Sequence, residues 1–378
     1  MALSTKPGSP VSPKLRSWGT LGAPSNESRG DSSPSPVISS VASPAPSVDW
    51  RQQLKEAVRD PAELCRLLEL PASLVEPALR AAEHFSLFAP RGYVARMTPG
   101  DPADPLLRQV LPLGDERAEV PGFTDDPVDD AAARRLPGML QKYSGRALLI
   151  VTGACAVHCR YCFRRHYPYD EAPKSLDAWE PALAELAADP TIDEVILSGG
   201  DPLVLVDDRL EALVRRLEQI PHLRRLRVHT RLPIMIPERV CDSLLAWFST
   251  SGSRLTPVCV VHANHANELD EAVAAACARL QQAGVLLLNQ SVLLRGVNDT
   301  VAAQAALCRR LADLRVVPYY LHQMDRVRGA AHFETSEADG RRIIEQLRSE
   351  LPGYLVPRYV REVPGESSKS PIESSPES

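Results

Sequence analysis

Three closely spaced cysteines carry the clearest chemistry in this sequence. Cys155, Cys159 and Cys162 have the spacing Cys-x3-Cys-x2-Cys, directly behind the apolar run ALLIV at residues 147–151. Thiolates are the usual protein ligands of iron–sulfur clusters. Three of them can hold three irons of a [4Fe-4S] cluster and leave the fourth iron with an open position, as catalytic metal sites have. Such a position suits a small molecule that carries an amine and a carboxylate.

A closed zinc site is the alternative for these cysteines. It would need a fourth ligand, which His158 or His166 could supply, or a second Cys-x2-Cys pair. The sequence has no second pair, so the ligand count favours the cluster. Apolar surroundings predict that the other five cysteines are small buried side chains. These five are Cys65, Cys241, Cys259, Cys277 and Cys308.

The elements that must position the cysteines alternate regularly from residue 147 onwards. Six short β-rich runs occur at residues 147–152, 194–198, 225–230, 257–263, 285–291 and 316–322. Helical patterns accompany them, for instance at residues 209–219, 268–283, 301–314 and 336–351. Because strand and helix alternate six times, we expect parallel strands joined by right-handed crossovers.

Polar residues follow or close every one of the six predicted strands. The cysteine loop follows the first strand, and the later strands lead into SGGDP, HTR, HANH, NQS and HQMD. These residues converge on one point only if the sheet curves into an arc with the site at its carboxyl end. A doubly wound open sheet would bring together only those at its switch point. We therefore predict an α/β fold, a partial (β/α)6 barrel.

Composition divides the rest of the chain into segments. Residues 1–48 are predicted to be a disordered tail, because the first 50 residues contain 13 serines and 8 prolines without apolar periodicity. Residues 49–140 have a mostly helical pattern and are predicted to be an N-terminal helical region. The barrel is assigned to 141–335, a C-terminal helix and its following segment to 336–373, and a loose end to 374–378.

Charge and hydropathy exclude several classes of protein. The formal net charge is −5, and basic and acidic residues are mixed along the chain, so the sequence does not predict a positive surface that would bind nucleic acid. No run of 18 apolar residues and no secretory leader occur, so we expect no membrane association. Eight cysteines, three of them clustered, are typical of a reducing compartment rather than of a disulfide framework. The sequence predicts a cytoplasmic protein.

The motifs together resemble the radical S-adenosylmethionine enzymes, whose signature is Cys-x3-Cys-x2-Cys after the first barrel strand. The segments KYSGRALLIVTGACAVHCRYCFRRH, SGGDPL, VHANHANELDE, LNQSVLLRGVND, PYYLHQMD and GAAHF are similar to the lysine 2,3-aminomutase family. GYLVPRYVREVPGESSKSP extends this similarity almost to the end of the chain. DPLLRQVLP and PGFTDDP resemble its shorter branch, which provides β-lysine for the β-lysylation of elongation factor P.

The resemblance implies three cofactors: a [4Fe-4S] cluster, S-adenosylmethionine and pyridoxal 5′-phosphate. Lys369 matches the lysine that forms the internal aldimine with pyridoxal phosphate. By composition alone, this lysine would be a solvated charge. The other cofactor or cavity residues that the resemblance implies are Cys155, Cys159 and Cys162 (cluster), Gly199, Gly200 and Asp201 (S-adenosylmethionine), Tyr143 and Arg146 (phosphate), and His262 and Gln290 (cavity).

Three further residues match substrate-binding positions of the family. Arg164 corresponds to the arginine that grips the substrate carboxylate, a task that suits its planar fork. Asp325 and Glu362 match the pair of acids that hold the side-chain ammonium of lysine. Glu362 stands where the metabolic enzymes have aspartate. Without the resemblance, Asp325 and Glu362 would be ordinary solvated carboxylates, and a surface charge beside Arg165 would be an equally good interpretation of Arg164.

The function implied by the resemblance is the isomerisation of L-α-lysine to β-lysine by 2,3-amino migration. A flavodoxin or ferredoxin would donate the electron, and a lysyl-tRNA-synthetase-like ligase would attach the product to elongation factor P. A stand-alone aminomutase of lysine, arginine or glutamate is the competing enzyme. A non-catalytic zinc or iron–sulfur scaffold is the alternative from another class.

Overall fold

The computed structural model describes residues 49–372. The predicted serine- and proline-rich tail, residues 1–48, and the predicted loose end, residues 374–378, lie outside the described residues. No helix of the described part of the chain is long and apolar enough to cross a membrane.

In the described part of the chain, ten strands form one sheet whose spatial order follows the sequence. Strands β3 to β9 are parallel, whereas β1–β2, β2–β3 and β9–β10 pair antiparallel. The strands are β1 (Arg134–Leu136), β2 (Met139–Leu140), β3 (Arg146–Thr152), β4 (Glu194–Gly199), β5 (Arg225–Thr230), β6 (Thr256–Val261), β7 (Leu286–Leu293), β8 (Val317–Gln323), β9 (Arg358–Arg361) and β10 (Ser370–Pro371).

Helices precede the sheet and form its crossovers. Each parallel pair from β3 to β9 is joined through at least one helix, the connection that parallel strands require. The helices are α1 (Trp50–Lys55), α2 (Pro61–Leu67), α3 (Val75–Ala82), α4 (Arg91–Val94), α5 (Glu180–Ala188), α6 (Asp207–Glu218), α7 (Leu232–Met235), α8 (Asp242–Trp247), α9 (Glu271–Gln282), α10 (Val301–Asp313) and α11 (Glu337–Glu350).

Local sequence explains where the last three crossover helices begin. Asp270, Thr300 and Ser336 are their N-caps, and each side chain accepts a hydrogen bond from a backbone N–H in the first turn. The central strand β4 is buried along its whole length, as expected for a parallel strand covered on both faces. The caps and the buried strands together fix where each strand ends, and therefore where the polar loops begin.

The six predicted strands are confirmed as β3 to β8, and the α/β partial barrel is confirmed with them. The sheet also contains a seventh parallel strand, β9, and two antiparallel additions that the sequence did not predict. The helical pattern predicted for residues 49–140 ends at Val94. Beyond it, prolines and glycines interrupt the chain, which forms turns, single 3-10 turns and the short strands β1 and β2.

Four of the five cysteines outside the cysteine loop are buried as predicted, namely Cys65, Cys259, Cys277 and Cys308. The prediction of a buried apolar position was wrong for Cys241, which is partly exposed. Cys241 precedes helix α8, and its sulfur lies 3.1 Å from the hydroxyl of Ser243. The thiol therefore sits in a polar helix start rather than in the core.

Candidate active site at the carboxyl ends of the strands

A cavity of about 490 Å³ opens at the carboxyl ends of the parallel strands. Side chains from all six predicted strands, or from the loops that follow them, line it, so the sheet curves around one centre. The structure brings all fourteen predicted site residues to this lining: Tyr143, Arg146, Cys155, Cys159, Cys162, Arg164, Gly199, Gly200, Asp201, His262, Gln290, Asp325, Glu362 and Lys369.

The cysteine loop forms one end of the cavity. Burial raises the pKa of Cys162 to about 11, and the neighbouring Cys159 adds to the increase. Burial also raises the pKa of Cys155 well above its usual value, as do Cys162 and Asp201 nearby. Thiols that oppose each other's ionisation in a buried site become thiolates when a cationic metal centre binds them. This donor set therefore fits an iron–sulfur cluster.

The two histidines considered as zinc ligands are held by other groups. The Nδ1 atom of His158 lies 2.9 Å from the backbone oxygen of Ser86, and its ring stacks on Phe85. His166 lies 3.6 Å from a carboxylate oxygen of Asp125. Within residues 49–372, no three His, Cys, Asp or Glu side chains are grouped as ligands of a single metal ion.

The glycine turn after β4 packs against the cysteine loop. A Cβ atom on Gly199 would lie 2.3 Å from the carbonyl oxygen of Thr152, and one on Gly200 would lie 2.3 Å from that of Ala154. Gly199 also has a φ of +126°, which side chains rarely adopt. Only glycine at both positions lets these two backbones approach so closely.

Asp201 is buried and its carboxylate is already hydrogen-bonded within the protein. One oxygen accepts bonds from the hydroxyl of Thr230 (2.6 Å) and the backbone N–H of Leu203 (3.0 Å). The other accepts the backbone N–H of Arg231 at 2.7 Å. The carboxylate thus fixes the loop after β5, a task that the sequence did not suggest.

Arg164 enters the cavity as an oriented, buried cation. Its Nε donates to a carboxylate oxygen of Asp130 at 2.7 Å, and one terminal nitrogen donates to the hydroxyl of Ser198 at 3.2 Å. The other oxygen of Asp130 lies 2.9 Å from Nζ of Lys142. Burial alone would raise the pKa of Asp130, but Arg164 and Lys142 lower it overall, so the carboxylate stays ionised beside its two cations.

Lys369 lies opposite Glu362 at the edge of the sheet. Ser370 of β10 pairs with Arg361 of β9, and this register puts the preceding lysine beside the following glutamate. Their charged groups form an ion pair. Lys142 lies 3.4 Å from the same carboxylate. Burial alone would raise the pKa of Glu362, but Lys369 and then Lys142 lower it overall.

The predicted phosphate-binding residues lie beside this pair. Burial and the nearby Glu362 raise the pKa of Tyr143, whose hydroxyl hydrogen-bonds to that carboxylate. The guanidinium carbon of Arg146 lies 4.7 Å from the centre of the Tyr143 ring. Glu362, which the sequence assigned to the substrate, is thus shared with the residues assigned to pyridoxal phosphate.

Asp325 is the other predicted substrate acid. It lies in the loop after β8, and burial raises its pKa to about 7, against the opposing effect of Lys369. Glu362 nearby raises the pKa further. The two acids therefore differ: Glu362 is ionised, whereas Asp325 is half protonated near neutral pH.

Two histidines in the cavity were not predicted as site residues. His229 and His322 line it, and the Nε2 atom of each is buried without a hydrogen-bond partner among residues 49–372. Burial lowers the pKa of both well below the usual value, with Arg227 adding to the effect at His229 and Lys369 at His322. Two neutral donors or acceptors without partners fit a polar ligand bound beside Lys369.

His262 lines the cavity, but its ring is hydrogen-bonded within the protein. Its Nε2 lies 2.8 Å from the hydroxyl of Tyr161, and its ring also hydrogen-bonds to the backbone of Gln290. Burial and the neighbouring Arg231 lower the pKa of His262 to about 4. It is therefore a neutral, fully bonded part of the cavity wall.

Comparisons with known proteins agree with this arrangement. The sequence profile of the Radical SAM superfamily matches residues 149–305, from β3 to α10. A protein of Escherichia coli (strain K12) named L-lysine 2,3-aminomutase is 49% identical over 326 residues, which cover 86% of this chain and 94% of that protein. Its namesake from Haemophilus influenzae is 44% identical and covers 85% and 95%.

A more distant relative of the same name comes from Clostridium subterminale. It is 33% identical over 326 residues, which cover 86% of this chain and 77% of that protein. The similarity thus extends well beyond the superfamily profile, into the N-terminal region. With a cysteine loop, a glycine turn and a partly buried lysine meeting in one cavity, this degree of identity shows that the chain belongs to the L-lysine 2,3-aminomutase family of radical S-adenosylmethionine enzymes.

Proposed function

We propose that this chain is an isomerase that converts L-α-lysine to β-lysine by 2,3-amino migration. The observation that carries the proposal is the set of charged side chains that line the cavity. Arg164 is a buried cation in the wall of this cavity, and the acids Asp325 and Glu362 line the same cavity beside Lys369. Free lysine has the complementary charges, a carboxylate at one end and an ammonium at the other.

The same charges discriminate between amino acids. Arg164 presents a planar fork to the substrate carboxylate, and Asp130 fixes its orientation. A glutamate substrate would place its second carboxylate near Asp325 and Glu362, where like charges repel. An arginine substrate has the correct charge but a longer and broader end group. We therefore propose lysine as the substrate, with the competing aminomutases as the alternatives to test.

The residues present fit the cofactors of the family. Cys155, Cys159 and Cys162 would hold the [4Fe-4S] cluster, and the backbone of the Gly199–Gly200 turn would approach S-adenosylmethionine. Lys369 would hold pyridoxal phosphate, with Tyr143 and Arg146 at its phosphate. Together these groups supply radical generation and a π-system that stabilises the migrating nitrogen, whereas the protein supplies orientation and exclusion of water.

The ion pair between Lys369 and Glu362 implies an order of binding. While the lysine amine is free, it neutralises this carboxylate. If Lys369 held the cofactor, Glu362, which lies 3.4 Å from Lys142, would be available to a second ammonium. Cofactor loading would thus prepare the substrate site, because a charged carboxylate in a buried site needs a cationic partner.

We also propose the wider role of the shorter branch. The segments DPLLRQVLP and PGFTDDP support it, and the β-lysine would pass to a lysyl-tRNA-synthetase-like ligase that modifies elongation factor P. A flavodoxin or ferredoxin would donate the electron. None of the eight cysteines, which all lie within residues 49–372, forms a disulfide, and this supports a reducing compartment, the cytoplasm. A stand-alone aminomutase with a free product is the second candidate.

The test is an anaerobic assay of protein reconstituted with iron, sulfide, pyridoxal phosphate, S-adenosylmethionine and a low-potential reductant. Lysine, arginine and glutamate are supplied separately, and the products are identified by mass spectrometry and chromatography. We expect β-lysine from lysine and no product from glutamate. Lys369→Ala should abolish turnover and the absorbance of bound pyridoxal phosphate. Exposed Lys174, outside the cavity, gives the matched control Lys174→Ala.

The outcomes separate the candidates. Absence of β-lysine with a cluster that responds spectrally to S-adenosylmethionine would contradict the substrate, and a protein purified with zinc alone would support the scaffold. For the wider role, the mass of elongation factor P is compared in cells with and without the gene. Unmodified factor in the absence of the gene supports the shorter branch, and an unchanged mass supports the stand-alone enzyme.

A further inference from the structure

A buried polar network lies against the middle cysteine. Nη1 of Arg231, in the loop after β5, donates to Sγ of Cys159 at 2.8 Å. Its other terminal nitrogen donates to a carboxylate oxygen of Glu268 at 2.7 Å and to the side-chain oxygen of Gln109 at 2.6 Å. The side chain of Arg231 is 6% exposed and that of Glu268 is not exposed at all. The guanidinium of Arg231 is therefore held in a water-poor region, where one of its terminal nitrogens donates a hydrogen bond to a thiol that lines the cavity.

Glu268 is fixed independently of Arg231. One of its oxygens accepts the backbone N–H groups of Asn264 (2.8 Å) and His265 (3.0 Å), and the amide of Gln109 at 3.1 Å. Asp201 holds the other end of the arrangement, because it accepts the backbone N–H of Arg231. The backbone and one terminal nitrogen of Arg231 are thus held in place while the other terminal nitrogen contacts Cys159.

This contact has an electrical consequence for a cluster bound by Cys159. Hydrogen bonds to the sulfurs and the net charge nearby set the reduction potential of an iron–sulfur cluster. One-electron reduction adds a negative charge to the cluster, and the electron comes from an external low-potential donor. A guanidinium keeps its positive charge at any working pH. In a water-poor site it stabilises the reduced form more than the oxidised form.

We propose that Arg231 sets the reduction potential of the cluster through its hydrogen bond to the Cys159 sulfur, and that Glu268 and Gln109 are the positioning residues for this contact. The inference rests on the cluster in the proposed function, and it assigns a task to a residue outside the three cysteines. Arg231 raises the potential, and the negative charge of Glu268 lowers it. The pair therefore brings the cluster to a potential that a one-electron donor can reach.

The test uses the reconstituted full-length protein and its variants Arg231→Gln, Arg231→Lys and Glu268→Gln. The reduced fraction of the cluster is followed by electron paramagnetic resonance during a redox titration with mediators. At the midpoint potential of the unaltered protein, we expect Arg231→Gln to lower the ratio of reduced to oxidised cluster about tenfold, which corresponds to ~59 mV for a one-electron couple. Arg231→Lys should shift less, since it keeps the charge.

Glu268→Gln should shift the potential in the opposite direction. It removes the negative charge and leaves Arg231 beside Cys159 with similar bonding partners. A change of sign between Arg231→Gln and Glu268→Gln is not expected from a loss of packing, because both substitutions break the same buried ion pair.

A second buried pair supplies the matched control. Arg239 and Asp207 lie 2.7 Å apart, with side-chain exposures of 0% and 7%, and neither lines the cavity. Arg239→Gln should reduce thermal stability as Arg231→Gln does and leave the potential unchanged. Equal potentials in unaltered protein, Arg231→Gln and Arg239→Gln would overturn the inference.

The two proposals fail in different ways. A protein that assembles no cluster, or whose cluster does not cleave S-adenosylmethionine, contradicts the proposed function before any variant is made. A normal cluster with an unshifted potential contradicts only the role of Arg231. If Arg231→Gln takes up no cluster, Glu268→Gln decides, and a potential equal to or below that of the unaltered protein would overturn the inference.

Discussion

Nε of Arg164 lies 2.7 Å from a carboxylate oxygen of Asp130, and both side chains are buried at the wall of the cavity. The carboxylate also binds Lys142, so one acid from an irregular loop links the cation proposed for the substrate carboxylate to the cluster of charges around Lys369. The hydrogen bond from Nε to Asp130 therefore fixes the orientation of the Arg164 guanidinium.

Asp130→Asn should therefore weaken the binding of lysine. A hydrogen bond to a charged group contributes about 1.5–3 kcal/mol, so KM should rise roughly 10- to 100-fold while kcat changes less. Ser198→Ala removes a bond from Arg164 to an uncharged acceptor at 3.2 Å, which is longer than the ion pair with Asp130, and should raise KM less. Steady-state kinetics at saturating cofactor measures both. Equal KM values for Asp130→Asn and the unaltered protein would show that Arg164 needs no orientation.

The acid Asp325 predicts a pH dependence of substrate binding. Its pKa of about 7 means that it gains its negative charge as the pH rises through neutrality. Since the substrate ammonium requires that charge, KM for lysine should fall as the pH rises from 6 to 8. Asp325→Asn should have a high KM without this dependence. A KM profile that is the same in both proteins would contradict the assignment.

The same group predicts a stability effect of known sign in cofactor-free protein. The pKa of Asp325 is higher in the folded chain than the ordinary value of 3.8. Its contribution to stability is therefore fully present below pH 3.8 and is lost as the pH rises through about 7. Asp325→Asn should melt at a higher temperature than the unaltered protein at pH 8, and the difference should shrink at pH 5. Thermal melts at the two pH values measure this.

Gly200→Ala should disturb the cysteine loop. The new methyl group would lie 2.3 Å from the carbonyl oxygen of Ala154, a backbone atom that cannot rotate away. We expect a reduced iron content after reconstitution, or a cluster whose spectrum no longer responds to S-adenosylmethionine. Gly353→Ala, at a position with open space around it, is the control. A normal spectral response in Gly200→Ala would show that the loop can move without loss of function.

The buried carboxylate of Asp207 should dominate local stability. It accepts hydrogen bonds from Arg239, Ser243 and Trp247. Asp207→Ala leaves Arg239 buried without its partner, which costs on the order of 3–5 kcal/mol. Asp242→Ala breaks only an exposed pair with Arg279 and should barely change the melting temperature. Differential scanning calorimetry compares the two, and equal melting temperatures would contradict this ranking.

The strands β3 to β8 could be predicted because each has six to eight residues that are mostly apolar or alternate between polar and apolar, between turn or helix signals. β1, β2, β9 and β10 are two to four residues long, too short for any periodicity to be visible. Their pairing depends on neighbours distant in sequence. The helical prediction failed after Val94, since prolines there outweigh the apolar pattern.

The site residues that belong to one short sequence motif could be predicted. The cysteines share one spacing, and Lys369 was identified by a motif match. Lys142 immediately precedes a predicted phosphate-binding residue, but no residue near it in the sequence predicts its contact with Glu362. Similarly, 36 residues lie between Arg231 and Glu268 in the sequence, and the two side chains meet only in the folded chain. His229 and His322 close predicted strands, a signal that could have found them.

The hairpin of β9 and β10 pairs only two residues on each strand, and it positions the amine of Lys369. So few ladder bonds at a sheet edge can open without disturbing the six central strands. Moving the register by a single position would turn the amine to the outer face. An insertion between the two strands should consequently yield a well-folded but inert protein.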